Sequence, residues 1–415
     1  MVGVFLRHGK CLGHDNVRDP IICYCAQTIP NKPCLFSNTM KTSFVDFYNE
    51  NKIIPVQQNI KSKDLHYARR RYLCSSLGVP DFLLRTARIC EFGPGTGQNA
   101  EFFLSANTNL LTLVDGCDQA VERLYDLRSR FPESGVGDVN IVHCLFEEFS
   151  ASNKFDIVWA EGCIPHQANP HDIVRKVAEH VDDAGILVVT TISGISHLSE
   201  TVRRLYASSL LGGRHPEAGD VDNLTRVFEP HLQNLPGRTR YTADWCFDVI
   251  IQRLDRSSLF SLPEAVDALS SSFLPYHTLP ALPSPFKWYK DYSPTNHLKH
   301  IKDEYYKSNL YLISNELDQF YHHPEDGYLA EQLGGKIWTQ MTLYQANELP
   351  LKQISSSFVD LANIYEKHNK RFSANLNHIA YWLNDDCNPS YAPAINFLSH
   401  WWGRGQQYAS FLRLK

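Results

Sequence analysis

Between Ala87 and Thr191, short apolar runs alternate with amphipathic stretches, and no other feature of the sequence restricts its fold as tightly. Five or six apolar residues are too few for a buried helix. Runs of that length separated by helical stretches are what a parallel sheet with crossover helices requires. They predict strands at Arg88–Phe92, Leu110–Asp115, Asn140–Cys144, Phe155–Ala160 and Ile186–Thr191. Between the last two, His171–Ala184 sets Ile173, Val174, Val177, Ala178 and Val181 on one helical face, with Gly185 as its stop. The expected architecture is an α/β fold with a doubly wound, mostly parallel sheet.

The chain has 415 residues, more than one ordinary domain, so substantial additions must surround this core. Residues 1–39 lack periodicity, mix Pro20, Pro30 and Pro33 with polar residues, and read as an irregular N-terminal extension. Residues 40–86 read as a helical lid broken near Pro55 and Pro80, because Phe44, Phe47 and Tyr48, then Tyr67, Tyr72 and Leu73, recur at helical spacing. The core covers residues 87–193. Residues 194–415 read as a largely helical cap over the substrate site, opening with a helix at Leu198–Leu211 and lending the core a late strand near Phe273–Leu279. Four prolines make Pro275–Pro285 an irregular connection. No seventh strand stands out.

The net charge of −5 leaves no overall basic footprint, so a nucleic-acid partner is not expected. No run reaches the eighteen or so apolar residues of a membrane span. Arg7, His8 and Lys10 stand where a signal peptide needs an apolar region, which points to the cytoplasm. The eleven cysteines lack paired spacing, and Cys90 and Cys144 fall in or beside predicted strands, so they read as reduced thiols. Cys11, Cys23, Cys25 and Cys34 cluster near the N-terminus without CxxC spacing, and no metal site is assigned to them.

The first predicted strand runs straight into glycines: Ile89-Cys90-Glu91-Phe92-Gly93-Pro94-Gly95-Thr96-Gly97. Glycines there permit a tight turn and let a ligand approach the backbone closely. They do not name the ligand, and Gly95-x-Gly97-x-x-Ala100 also fits a dinucleotide fingerprint, so an NAD(P)-dependent oxidoreductase is a rival reading. Glu91 weighs against it. A carboxylate at the strand tip would repel a pyrophosphate and suits a cationic amino-acid group.

The spacing Glu-x-Gly-x-Gly-x-Gly resembles the first motif of class I S-adenosylmethionine-dependent methyltransferases, and the following elements continue the resemblance over about 105 residues. It implies that Glu91, Gly93, Gly95 and Gly97 hold S-adenosylmethionine. It also implies that Asp115, at the end of the second strand, accepts hydrogen bonds from the ribose hydroxyls, and that Leu145 and Phe146, after the third, flank the adenine. The loop Ala160-Glu161-Gly162-Cys163-Ile164-Pro165-His166 is similar to the post-strand loop of small-molecule methyltransferases, and Glu161 joins the cofactor candidates there. The loop lacks the Asn/Asp-Pro-Pro-Tyr/Phe motif used on amide and exocyclic nitrogens, which disfavours such acceptors.

Methyl transfer is an in-line displacement that needs positioning, exclusion of water and, for hydroxyl acceptors, a base. His166 is the first candidate base and His197 the second. In His66-Tyr67-x-Arg69-Arg70-Arg71, helical spacing puts His66 with Arg70 and Tyr67 with Arg71; the run is either a solvated face or an anion-binding lid. Asp244-Trp245-x-x-Asp248 sets two carboxylates one helical turn apart beside an indole, and Phe286-Lys287-Trp288-Tyr289-Lys290 interleaves bases with aromatics. These segments, with Ile54-Pro55-Val56-x-Gln58, look like those of bacterial class I methyltransferases with large helical additions. That likeness implies a sugar or other small polar metabolite as acceptor and O-methylation as the chemistry. A non-catalytic S-adenosylmethionine sensor that docks a partner through its helical half is the alternative from a different class. The aromatic stretches Ala380–Leu383 and Phe397–Trp402 fit either an oligomer interface or a core, so the oligomeric state stays open.

Overall fold

A computed structural model describes residues 44–54, 60, 62–131, 138–233, 235, 238–254, 257–283, 288–313, 323–385 and 405–415. The N-terminal extension, the four N-terminal cysteines and the 397–402 stretch lie outside the described residues. Three helices come first, α1 (Phe44–Asn51), α2 (Lys63–Ser76) and α3 (Asp81–Leu84). The alternating core follows: β1 (Arg88–Phe92), α4 (Ala100–Ser105), β2 (Leu110–Asp115), α5 (Asp118–Ser129), β3 (Asp138–His143), β4 (Phe155–Ala160), α6 (Pro170–Ala178) and β5 (Val181–Thr191). Then come α7 (Leu198–Leu210), α8 (Val221–Leu232), α9 (Thr242–Trp245), a π-helical turn at Cys246–Ile251, α10 (Leu262–Leu269), β6 (Phe273–Leu279), α11 (Pro294–Ser308), α12 (Pro324–Gln345), α13 (Leu351–Glu366), α14 (Lys370–Asn384) and β7 (Gln407–Arg413).

The seven strands form one sheet in the order β3-β2-β1-β4-β5-β7-β6. The first five pair in parallel, and β7 enters antiparallel between β5 and β6. This is the mostly parallel, doubly wound sheet that the alternation requires. Side chains alternate across it with period two. On one face Ile89, Leu111, Leu113, Ile157 and Trp159 pack against Phe102, Phe103, Leu124 and Leu127. On the other, Cys90, Phe92, Val114 and Val158 meet Ile173, Val174 and Val177 of α6 and Val266 and Leu269 of α10. A third cluster, with Trp338, Phe358, Tyr365 and Trp382 at its centre, joins α7 to α12, α13 and α14. Ala380, Trp382 and Leu383 belong to this core, and only Tyr381 of that stretch is well exposed.

One expected element needs correction. The helix read over 171–184 ends at Ala178, and Val181 is a strand residue paired with Phe155. Strand β5 bulges at residues 182–185, where the β4–β5 register shifts and Ala184 takes a positive φ of 58°. A Cβ on Gly185 would lie 2.8 Å from the Asp182 carbonyl oxygen, so this glycine allows a bulge in β5 rather than stopping a helix. The strand near Phe273–Leu279 is present and accommodates Pro275, whose missing N–H falls where its register with β7 slips. The seventh strand is β7, which reaches the sheet by way of the helical additions.

Candidate active site

Strand order reverses about β1, which is flanked by β2 and β4, so the crossovers leave on opposite faces and open a crevice at the carboxyl ends of these strands. A cavity of about 510 Å³ occupies that crevice, within the roughly 300–1,000 Å³ typical of small-molecule sites. Its floor is the turn after β1, with Gly93, Gly95 and Asp115 in the wall. Gly95 and Gly97 both have positive φ, +55° and +75°, but for different ends. A Cβ on Gly97 would strike Leu127 of α5 at 2.7 Å, so that glycine seats the turn on the helix. A Cβ on Gly95 would meet nothing within 4 Å and would project into open space, leaving a length of bare backbone for a ligand to lie against.

Two carboxylates stand at the strand tips in opposite states of satisfaction. Asp115 accepts the N–H of Gly95 through Oδ2 at 3.0 Å and the N–H of Cys117 through Oδ1 at 2.9 Å, which ties the end of β2 to the glycine turn. Burial raises its pKa against the opposing pull of these N–H groups. Glu91 is 2% exposed and its Oε2 has no hydrogen-bond partner. Burial lifts its carboxyl to about 8; nearby Arg70 works against the rise, while Glu161 and Asp115 add to it. A buried acceptor without a donor is costly unless something cationic answers it.

Glu161 is the counter-example. Its Oε2 accepts from Arg70 Nη1 at 2.7 Å and Trp159 Nε1 at 2.9 Å, and its Oε1 accepts from the Tyr408 hydroxyl at 2.8 Å. Burial alone would raise its pKa, but Arg70 and these donors outweigh that and hold it low. Arg70 is itself buried, and its guanidinium lies over Trp159, 5.2 Å from the ring centroid. The basic run on α2 is therefore no uniform solvated face. Arg69 is exposed, Arg71 pairs with Asp81, and Arg70 turns inward to an anion that the chain itself supplies. Leu145 and Phe146 both line the cavity; Phe146 is buried edge-on to Phe92 at 5.3 Å, and Leu145 is 41% exposed.

The far end of the cavity is built by the additions. His166 follows β4 in a left-handed conformation (φ 76°), held where its N–H donates to the Ser258 carbonyl at 2.8 Å. His197 immediately precedes α7, with its ring centroid 5.8 Å from that of His166, and both rings line the cavity. Nδ1 of His166 and Nε2 of His197 are buried without hydrogen-bond partners. Burial lowers the His166 pKa to about 4, and nearby Arg204 and Arg240 press the same way while Asp248 resists. His197 is driven well below the ordinary imidazole value by burial, with His166, Arg204 and Arg203 contributing. Both rings are therefore neutral near pH 7.

Opposite them, Asp248 on the π-helical turn accepts the Tyr48 hydroxyl at 2.6 Å and pairs with Arg240. Tyr48, Arg240, Trp245 and Asp248 all line the cavity. Of the Asp244-Trp245-x-x-Asp248 motif, the second carboxylate and the indole reach the site and Asp244 does not. The widened π turn breaks the one-turn spacing that put both carboxylates on one face. The sequence carries no signal for a site role of Tyr48, Arg240 or Tyr408, whereas Arg70 belongs to the run that reads either as a solvated face or as an anion-binding lid.

Residues 65–230 match a family model described as a methyltransferase domain. That stretch, two-fifths of the chain, is similar to a methyltransferase domain. The match runs from α2 to α8 and stops before β6 and β7. No curated protein matches the chain. Among solved structures it is similar to the glycopeptide N-methyltransferase MtfA complexed with sinefungin, at 16% identity over 32% of this chain and 56% of that one, with a TM-score of 0.27. It is also similar to the N-methyltransferase NodS from Bradyrhizobium japonicum with S-adenosyl-L-homocysteine, at 13% identity over 35% and 74% of the two chains, TM-score 0.29. A third is the magnesium protoporphyrin IX methyltransferase ChlM from Synechocystis PCC 6803, at 13% identity over 54% and 78%, TM-score 0.31. The chain spans a little over half the length of the MtfA structures it matches. At this level of likeness none of them fixes the acceptor of the methyltransferase domain. Among the described residues no helix is long and apolar enough to cross a membrane, and no group of three or more His, Cys, Asp or Glu side chains is placed to hold a metal ion.

Proposed function

We propose that this protein transfers a methyl group from S-adenosylmethionine to a hydroxyl of a small polar metabolite or sugar held in the inner cavity. The observation that carries the cofactor half is the unanswered, buried Glu91 carboxylate beside the bare backbone of Gly95. A cationic amino-acid group would satisfy Glu91, whereas the pyrophosphate of a dinucleotide would be repelled by it. Gly93, Gly95 and Gly97 would shape the turn against the cofactor, Asp115 would accept the ribose hydroxyls, and Leu145 and Phe146 would flank the adenine. Glu161, already engaged by three donors, would act through Arg70 and Trp159 as a positioning residue rather than touch the cofactor.

When bound, S-adenosylmethionine supplies a methyl group already activated on a sulfonium centre. The chain's own contribution is to orient the acceptor, exclude water and take up a proton. Nδ1 of His166 is neutral and unpartnered, so it can accept the hydroxyl proton as the oxygen–methyl bond forms and the sulfur–methyl bond breaks. His197 stands next to it as a second acceptor. Two neutral imidazoles facing one chamber suit a hydroxyl acceptor, whose proton must leave as the oxygen–methyl bond forms.

Calorimetric titration with S-adenosylhomocysteine and NAD(H) tests the reading. Saturable binding of the former, weakened more than about tenfold or ~1.4 kcal/mol in Asp115→Ala, is expected. Binding of NAD(H) in its place would overturn it. Formation of S-adenosylhomocysteine from S-adenosylmethionine with a sugar or metabolite pool is expected as well. Cofactor binding without turnover on any pool would assign a sensor instead.

A further inference from the structure

A second cavity of about 410 Å³ adjoins the first, and Arg238, Thr239 and Arg240 form the wall common to both. The outer chamber is lined by Ser62, His66 and Arg69 from the α2 side and by Arg238, Arg240 and Tyr241 from the other. Among the described residues that line it there is no aspartate or glutamate. Three arginines thus line one space whose other described walls are apolar or neutral polar side chains and a histidine.

Two of the three are fixed from behind. Arg238 is clamped by Glu229 and the Thr242 hydroxyl, and Arg240 by Asp248; neither Glu229 nor Asp248 lines the outer chamber. Only Nη1 of Arg240 is engaged, so its Nε and Nη2 make no hydrogen bond among the described residues. Arg69 makes no ion pair among the described residues and stands across the chamber on α2. Planar forks held rigidly from behind recognise tetrahedral oxyanions well, since little side-chain freedom is lost on binding. The run His66-Tyr67-x-Arg69-Arg70-Arg71 divides its work accordingly: Arg70 answers the chain's own Glu161, and Arg69 remains for an outside anion.

We propose that the outer chamber is a phosphate subsite, and that the methyl acceptor is a phosphorylated small molecule whose phosphate or diphosphate sits between Arg69 and the Arg238–Arg240 wall while its hydroxyl end reaches His166. This rests on the methyltransferase reading for the inner cavity and adds the acceptor's chemical class. Arg240 links the two chambers, because the same residue that contacts the anion also holds Asp248 and, through it, Tyr48.

The probe is inorganic pyrophosphate, titrated calorimetrically into protein saturated with S-adenosylhomocysteine, with malonate as a carboxylate control. Saturable pyrophosphate binding is expected, at least tenfold weaker in Arg69→Glu and largely kept in Arg69→Lys, with S-adenosylhomocysteine affinity unchanged in both. Arg69 is exposed, so neither variant should disturb folding, and a thermal melt checks this. No saturable binding, equal binding in Arg69→Glu, or tighter binding of malonate would each overturn the subsite. Failure of S-adenosylhomocysteine to bind would sink the cofactor reading instead, and pyrophosphate titrated into the protein alone would still decide the subsite.

Discussion

The proposed cofactor half of the inner cavity is made by one continuous turn and the tips of neighbouring strands, whereas the proposed acceptor half draws Tyr48, His166, His197, Arg240 and Asp248 from five separate segments. The first is set by backbone: positive-φ glycines, and Asp115 fastened to two N–H groups. The second is set by side chains on loops and added helices. Their charges differ too. Acidic groups crowd the cofactor half, with Arg70 as the cation that Glu91 and Glu161 feel most. In the acceptor half neutral imidazoles sit near Arg204 and Arg240. On the proposed assignment, such a division would let the helical additions change the acceptor without touching the frame that holds the cofactor.

His166→Ala should break the acceptor half alone. Loss of a general base lowers turnover by about 10²–10⁴-fold, while affinity for S-adenosylhomocysteine stays within about twofold, far below the tenfold that ~1.4 kcal/mol represents. Because burial keeps His166 near pKa 4, the wild-type ring is in its basic form throughout pH 6–8, and the deficit should be constant over that range. Unchanged turnover would make His166 a structural residue of the loop. Arg70→Ala should break the other half. It strands Glu161 as a buried charge without its cation, which typically costs about 3–5 kcal/mol, read as a fall in denaturant midpoint. The double variant Arg70→Met with Glu161→Gln should recover much of that loss, since no uncompensated charge remains. No recovery would mean that Arg70 matters through its packing on Trp159 and Phe103 instead.

The same contrast governs how far each half can be read from sequence. Strand β1, the glycine turn and Asp115 lie within 28 residues of each other, and the periodicity that marks the strands also fixes where the turn must open. The acceptor half spans Tyr48 to Asp248, and nothing local in either residue announces that a tyrosine hydroxyl will meet that carboxylate. Strand β7 is hard to read from sequence for a related reason. Residues Ala409, Ser410 and Phe411 are all buried because both faces of the strand are covered, so the polar–apolar alternation that betrays a half-exposed strand is missing. The early end of α6 is not legible because Val181 fits both a helical face and the start of β5, and only the bulge at residues 182–185 decides between them.

Glu91 offers the smallest effect and the finest test of the cofactor half. Its folded pKa of about 8 lies above its ordinary value of 4.5, so the folded protein binds the proton more tightly than the unfolded chain. The associated stability is fully present below pH 4.5 and is lost as pH rises toward 8. Cofactor binding acts in the opposite sense, because the ammonium of S-adenosylhomocysteine favours the carboxylate and expels that proton. Between pH 6 and 7, where Glu91 is mostly protonated in the free protein, affinity should therefore rise with pH. One proton released per binding event sets a ceiling of about tenfold per pH unit, or ~1.36 kcal/mol. The heat of binding should depend on the ionisation enthalpy of the buffer. In Glu91→Gln both dependences should vanish and affinity should stay low. A wild-type affinity flat from pH 6 to 7 would mean that Glu91 does not face the amine, and the cofactor half would lose the side chain on which its reading rests.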